Sequence, residues 1–504
     1  MKQPLTLLVA AVLATSQAIA NISPQMQAYI NLLPEKALTP DFVFALAVKS
    51  SDSYQSVRAQ LQATNSAALR GKAALANRVS AQFDLIDDQL RPSTPFQPFR
   101  TQAKKFSLGV STLFRTGTAV SFELSHGLTE LSFQTLNVAP FAETRGQINI
   151  SQSLWKDAFG TATRAAVSAA EQTSRSSLAA YQEERENWFF QFAQIYYQAW
   201  LAQAKERASR KNLALQERLL KTVQIKLRRG TSEESDRLQV NSAKTNAAIA
   251  LEQDKQTLGD LWRNIIITLK LPAELLQLDP AEVPMKLDSP VEEALQKCGS
   301  KNQISTAPEE VASVLKAQAA YDAAKLQTEK ASSEFNPSLD LNLGFAANNI
   351  EGNSSQTVDE FIRLQFPRYS ASVIFKMPLG FYAEKAQLAE ARANEARAGA
   401  LLSVAKDSLK MDWTNGCLEL QRFHRSRDWL SRTVVDQQRR EKLEEERFQL
   451  GRTGTLQVIQ AGADATQAEQ FLNSTEAQLR LAAWKVLRLS GRVQEYLNQL
   501  EARE

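Results

Sequence analysis

With two cysteines and two histidines in 504 residues, the chain has few side chains for transition-metal chemistry. His126 and His424 have no cysteine or histidine at ligand spacing, so neither a zinc nor a haem site is expected. No phosphate loop, nucleophile elbow or paired-acid site occurs, so no catalytic residue is assigned and no cofactor is expected. After the first twenty residues there is no apolar stretch of about twenty, which excludes a membrane-spanning helix. Lysine and arginine number 59 against 55 acids, a net charge of +4. Both signs are mixed along the chain, which describes a solvated helical surface and excludes a nucleic-acid footprint. Cys298 and Cys417 could bridge in an oxidising compartment or remain two inert thiols.

At the N-terminus, Lys2 precedes an apolar run from Leu5 to Ala14, and Ala18-Ile-Ala20 is a small-x-small cleavage site. Residues 1–20 are therefore expected to be a secretory signal peptide.

The remaining order is set by two helical hairpins. In the first, Leu213, Leu220 and Leu227 lie seven apart on the way in, and Leu251, Leu258 and Ile265 lie seven apart on the way out. Such spacing forms one apolar seam on a supercoiled helix. Between the arms, Gly230 is followed by Thr231, Ser232 and several acids, the pattern of a helix ending and another beginning. The second copy turns at Gly451-Arg452-Thr453, with Gly230 falling on Gly451 and Gln239 on Gln460. Its outgoing arm carries Ala461, Ala465, Ala468, Leu472, Thr475, Leu479, Ala482 and Val486 in steps of four and three. Two copies this far apart imply a duplicated half-molecule rather than a solenoid.

Within each half a helix and two strands are expected before the hairpin. Helix is expected from Pro40 to about Leu90. Alternation of period two marks Phe106–Leu124 and Gln147–Gln152. A helix from Ala158 to Arg229 would be on the order of 105 Å long. Its aromatic cluster (Trp188, Phe189, Phe192, Tyr196 and Tyr197 among them) is expected to pack against extra helices rather than a cofactor. In the second half, helix is expected over Glu309–Glu334, strands through Leu339–Phe345 and Tyr369–Phe375, a polar loop over Asn348–Thr357, and a long helix over Phe381–Leu450. That helix opens with Ala386, Ala389, Ala393, Ala396 and Ala400, a seam that permits close helix approach. The expected divisions are residues 21–272 for the first repeat, 273–288 for a linker, 289–492 for the second repeat and 493–504 for a tail.

Four strands cannot close a membrane barrel, since such barrels begin at about eight, and an open edge in lipid leaves backbone groups unpaired. Several chains must then share one barrel; three would supply twelve strands. The charged long helices must project into water on one side.

This order, with the strand-to-helix junctions Gln152-Ser-Leu-Trp155 and Met377-Pro-Leu-Gly380 and the turns at Gly230 and Gly451, resembles the TolC-like outer-membrane factor family. The resemblance implies a mainly α fold with a membrane β part: duplicated strand–strand–long-helix repeats forming a trimeric outer-membrane β-barrel continued by a periplasmic α-helical barrel. It implies a passive exit duct of a tripartite efflux pump or type I secretion system in a Gram-negative outer membrane. The partners implied are two further copies of the chain, outer-membrane lipid, a periplasmic adaptor and an inner-membrane pump. Gly230, Thr231, Ser232, Gly451, Arg452 and Thr453 would dock the adaptor. The acids that ring the family's mouth fall here on neutral Gln457 and Gln460, while the first repeat keeps Asp236 followed by Arg237. A ring of Asp236 carboxylates would repel unless Arg237 or Arg452 paired with it. Cys298 and Cys417 both fall near the equatorial level and are expected to form a disulfide. The competing reading is a periplasmic or secreted coiled-coil structural or adaptor protein with soluble hairpins; a lipid-facing apolar band distinguishes the two.

Overall fold

The computed structural model describes residues 37–502 apart from 92, 95, 134–137, 272–275, 277–278, 300–306, 309 and 365. The expected signal peptide, and Pro272 at the end of the first hairpin, lie outside the described residues. The chain divides into two units. Unit one comprises the residues up to Leu61, Ala180–Val314 and Ala405–Glu504, and unit two Gln62–Ala179 and Leu315–Val404.

In chain order the elements are α1 (Pro40–Ser50), α2 (Asp52–Thr64), α3 (Ser66–Ala73), β1 (Arg78–Asp88), β2 (Arg100–Leu113), β3 (Thr118–Ser132), β4 (Phe141–Ser153) and α4 (Thr161–Arg228). There follow α5 (Glu234–Thr268), α6 (Val291–Cys298), α7 (Ala312–Glu334), β5 (Ser338–Glu351), α8 (Ser354–Ile362), β6 (Pro367–Lys376), α9 (Tyr382–Gln449), α10 (Thr455–Leu489) and α11 (Arg492–Ala502). Short 3-10 turns lie at Ala158–Gly160 and Pro280–Glu282.

Unit one is built on an aromatic core. Thr39 caps α1 by accepting the Phe42 N–H, and Pro40 occupies the first turn, where its missing N–H costs nothing. This sets Phe44 edge-on to Phe189, Phe192, Tyr196 and Trp484, at 5.0 to 6.1 Å between centroids. The Tyr196 hydroxyl donates to the carbonyls of Leu38 and Lys286, and the Tyr197 hydroxyl donates to that of Asp288. The aromatic cluster of α4 thus meets α1, the 283–288 segment and α10, and its buried polar tips are satisfied. Cys298 at the end of α6 and Cys417 in α9 are both fully buried and joined by a disulfide, with Cα atoms 5.5 Å apart.

Unit two holds one antiparallel meander of six strands in the order β1-β2-β3-β4-β5-β6. Four strands were expected and six occur among the described residues, so the helical assignment of Arg78–Asp88 is corrected. There Val79, Ala81, Phe83 and Leu85 alternate with Ser80, Gln82 and Asp84, a period-two pattern that follows directly on a helical one. The Phe106–Leu124 segment is two strands, broken by a turn in which the Gly117 N–H donates to the Phe114 carbonyl. The expected polar loop after β5 contains α8, capped by the Asn353 side chain accepting the Ser355 N–H.

The β2–β3 turn is seated against the start of α4 by two glycines, both with positive φ. A Cβ on Gly160 would lie 2.0 Å from the Arg115 carbonyl oxygen, and one on Gly117 would lie 2.9 Å from the Gly160 nitrogen. Only glycine fits this backbone-on-backbone contact.

The seams are corrected in two places. Towards the tip of α4 the buried seam runs through Leu215, Leu219 and Val223, in steps of four, while Leu213, Leu220 and Leu227 are half-buried at its margin. On α9 the five alanines from Ala386 to Ala400 are exposed. There α7 packs beside them instead: the Thr328 hydroxyl donates to the Ala391 carbonyl, and Tyr321 stands over Gly399. Among the described residues nothing covers the alanine stripe.

Candidate functional site: the sheet faces and the helical tips

Side chains on adjacent paired positions point to the same face of a sheet, and successive residues point to opposite faces. The register therefore sorts the six strands into rungs. One rung reads Val79, Val110, Phe122, Ile148, Phe345 and Tyr369 from edge to edge. The rung one residue away, on the opposite face, reads Ser80, Gly109, Glu123, Gln147, Ala346 and Arg368. The next on that face reads Arg78, Ser111, Ser121, Asn149, Gly344 and Ser370. One face is a continuous apolar band, and the other is lined by hydroxyls, amides and charges. The band faces outward from the unit: Val79 is 70% exposed, Phe122 40% and Tyr369 78%. Leaving such a band in water is unfavourable, and one this continuous marks a surface for lipid or protein.

Only part of the apolar face is covered. At one end of the sheet α8 lies on it, with Phe361 against Gly146, while the Asn349 amide donates to Glu360 at 3.0 Å. His126 and Thr144 hydrogen-bond at 2.8 Å at that same level. The other end of the sheet carries the connections from α3, to α4, from α7 and to α9.

The tips, in unit one, are the second candidate region. Incoming arms end with the same cap. Gly230 donates its N–H to the Leu227 carbonyl and Thr231 to that of Lys226, while Gly451 donates to Phe448 and Arg452 to Arg447. Both glycines take φ near +70°, the left-handed residue of this motif, and neither has a neighbour that a Cβ would strike. A small core of Leu219, Val223, Val240, Phe448 and Val458 packs beneath the two turns. Lys226 lies over the Phe448 ring at 3.9 Å and donates to that residue's carbonyl.

Asp236 joins the two tips. It accepts the Ser232 hydroxyl at 2.8 Å and the Glu233 N–H at 3.1 Å, completing a capping box for α5. Its other oxygen accepts the hydroxyl of Thr455, the first residue of α10, at 2.8 Å. The Ser232 hydroxyl above all, then the Glu233 N–H and Thr455, hold its carboxyl below the usual carboxylate range. Arg237 pairs with Glu234, Nε to carboxylate at 2.8 and 3.0 Å, not with Asp236. Gln457 and Gln460 are exposed on α10, as are Gly230, Thr231, Gly451 and Arg452, while Ser232 and Thr453 are half-buried. Thr455, buried at 3% exposure, was not singled out from the sequence. Its signal was its position, at the first residue of α10 just past the turn.

No family model matches the sequence, and no curated protein matches it. Solved structures do. The outer membrane protein VceC from Vibrio cholerae superposes with a TM-score of 0.65 at 12% identity, over 90% of this chain and 95% of that one. The Campylobacter jejuni CmeC outer membrane channel gives 0.65 at 12% identity, over 91% and 88%. This chain has the TolC-like outer-membrane channel fold. The open-state Neisseria gonorrhoeae MtrE outer membrane channel gives 0.59 at 14% identity, over 90% and 88%. The TolC-like fold therefore covers unit one and unit two alike, with the sheet and the paired tips as its two specialised regions.

Proposed function

We propose that the protein is an outer-membrane channel of a Gram-negative bacterium, a passive exit duct serving a tripartite efflux pump or type I secretion system. The observation that carries this reading is the two-faced meander. Its apolar band is exposed, its opposite face is hydrophilic, and both long helices, α4 and α9, leave from the same end. Among the described residues no helix is long and apolar enough to cross a membrane, so lipid would be met by the sheet. Six strands fall short of the smallest barrels, so the sheet must be completed by further copies. Three copies are proposed, as in the family the sequence resembles. The exposed alanine stripe of α9 would then receive a helix of the neighbouring copy. The tips would form the periplasmic mouth, docking an adaptor through Gly230-Thr231-Ser232 and Gly451-Arg452-Thr453 and passing cargo from an inner-membrane pump. With Gln457 and Gln460 neutral and Asp236 occupied by the two tips, the mouth would be narrowed without a strong ring of charge.

A coiled-coil stalk with soluble hairpins is disfavoured by the same band, which would stand in water. Fractionation of the expressed protein followed by mass determination in detergent tests the reading. A trimer in the outer-membrane fraction is expected; a soluble periplasmic monomer would overturn it.

A further inference from the structure

Both edges of the six-stranded sheet are open. β6 is exposed along all ten of its residues, and β1 along all but one of its eleven. Their outward backbone groups need partners wherever water is absent, and in lipid an unpaired strand edge is not tolerated. The sheet cannot close on itself, because six strands are too few. Strand direction alternates across an antiparallel meander, so the first and last of six run oppositely. A β6 edge therefore meets the β1 edge of another copy in the antiparallel sense.

Apart from the helix-linked ends, where Arg78 would oppose Lys376, the side chains fit that meeting. Laid flush, with the helix-linked ends Arg78 and Lys376 together, Ala81 falls on Val373, Phe83 on Ala371 and Leu85 on Tyr369. Each pair sets a large group beside a smaller or aromatic one on the apolar face. On the opposite face Gln82 falls on Ser372 and Asp84 on Ser370. The apolar band and the polar lining both continue across the junction without a break in parity, which a one-residue slip would destroy.

We propose that β1 of one copy pairs with β6 of the next, so that each subunit gives six strands rather than four to a common barrel. Resting on the three-copy reading above, this makes a barrel of eighteen strands. At about 4.8 Å between strands and a tilt of about 40°, it is about 36 Å across between backbones, against about 24 Å for twelve. The added hairpin is part of the wall. β2 pairs along β3 from Arg100 to Leu113, and the turn joining them is locked to the base of α4 through Gly117 and Gly160. Its polar face adds Ser80, Gln82, Ser107 and Ser111 to the lining, so the wider lumen is hydrophilic and suits a bulky, hydrated cargo.

The chain's two native cysteines are bonded to each other, which leaves introduced thiols as the only free ones. Full-length protein carrying Gln82→Cys with Ser372→Cys is oxidised in outer-membrane vesicles and run without reductant. Two further pairs, Ser80→Cys with Ser372→Cys and Asp84→Cys with Ser372→Cys, sample the registers shifted by two residues in either direction. A ladder up to trimer from any of the three pairs, reversed by reductant and absent from each single variant, is the expected result. If detergent mass shows an intact trimer and none of the three pairs cross-links, the six-strand wall is overturned while the channel reading stands. A monomer by mass overturns both.

Discussion

The two helical tips of unit one end alike and begin differently. Gly230 and Gly451 close their helices with the same pair of backbone hydrogen bonds. Past the turn, α5 carries its own cap, a reciprocal pair between Glu233 and Asp236. By contrast α10 starts at Gly454, which makes no side-chain cap, and its first residue, Thr455, reaches across to Asp236. One tip is self-sufficient and the other is held by it. Two similar tips that touch need not be stabilised alike, because one carboxylate has acceptor sites for both.

The largest way to break this asymmetry is Asp236→Ala. It removes the acceptor for both helix starts and should cost about 2 kcal/mol, near the sum of a lost cap and a charge-assisted hydrogen bond. Amide exchange should accelerate in the first turns of both α5 and α10. Acid should reproduce part of that loss. The folded carboxyl lies below its ordinary value of 3.8, so its contribution is complete above that value and lost as pH falls through the folded one. Exchange at both tips should rise below pH of about 4 in the parent and stay flat in Asp236→Ala.

Gly230→Ala and Gly451→Ala should each cost about 1 kcal/mol, and equally, since both meet only the conformational penalty of a left-handed residue. Unequal thermal shifts would show that the C-terminal caps are less alike than their hydrogen bonds. Thr455→Ala should cost about 1 kcal/mol and loosen α10 alone, leaving α5 protection unchanged. Loosening of both would mean that Asp236 depends on Thr455 rather than the reverse. At the small end, Gln457→Ala and Gln460→Ala are exposed changes expected to stay within about 0.5 kcal/mol by the same exchange measurement.

What was legible in the sequence follows from how local each signal is. The two long helices, expected over Ala158–Arg229 and Phe381–Leu450, span Thr161–Arg228 and Tyr382–Gln449, since glycine and proline punctuate them sharply. The α10 seam was visible too: Ala461, Ala465, Ala468, Leu479, Ala482 and Val486 are buried. β1 was hidden because Val57, Leu61, Ala68 and Leu75 set up a helical spacing that its alternation interrupts for only one short strand. The α4 seam was displaced because leucines at 213, 215, 219, 220 and 227 satisfy more than one helical register, and packing chose Leu215 and Leu219. The Asp236–Thr455 link joins residues 219 apart, which no local pattern encodes.

The disulfide has a topological consequence. Cys298 and Cys417 are 119 residues apart, and the chain between them includes β5, α8 and β6. Once the bond closes, these strands belong to a covalent ring rather than to a thread with two ends. On the proposed reading, an oxidised chain must deliver β5 and β6 to the membrane as a bight of rope, both legs moving together. Insertion led by a free end is then ruled out for β5 and β6, while β1 to β4 lie outside the ring and keep that route open. The order in which oxidation and insertion occur would decide which half of the wall is laid first.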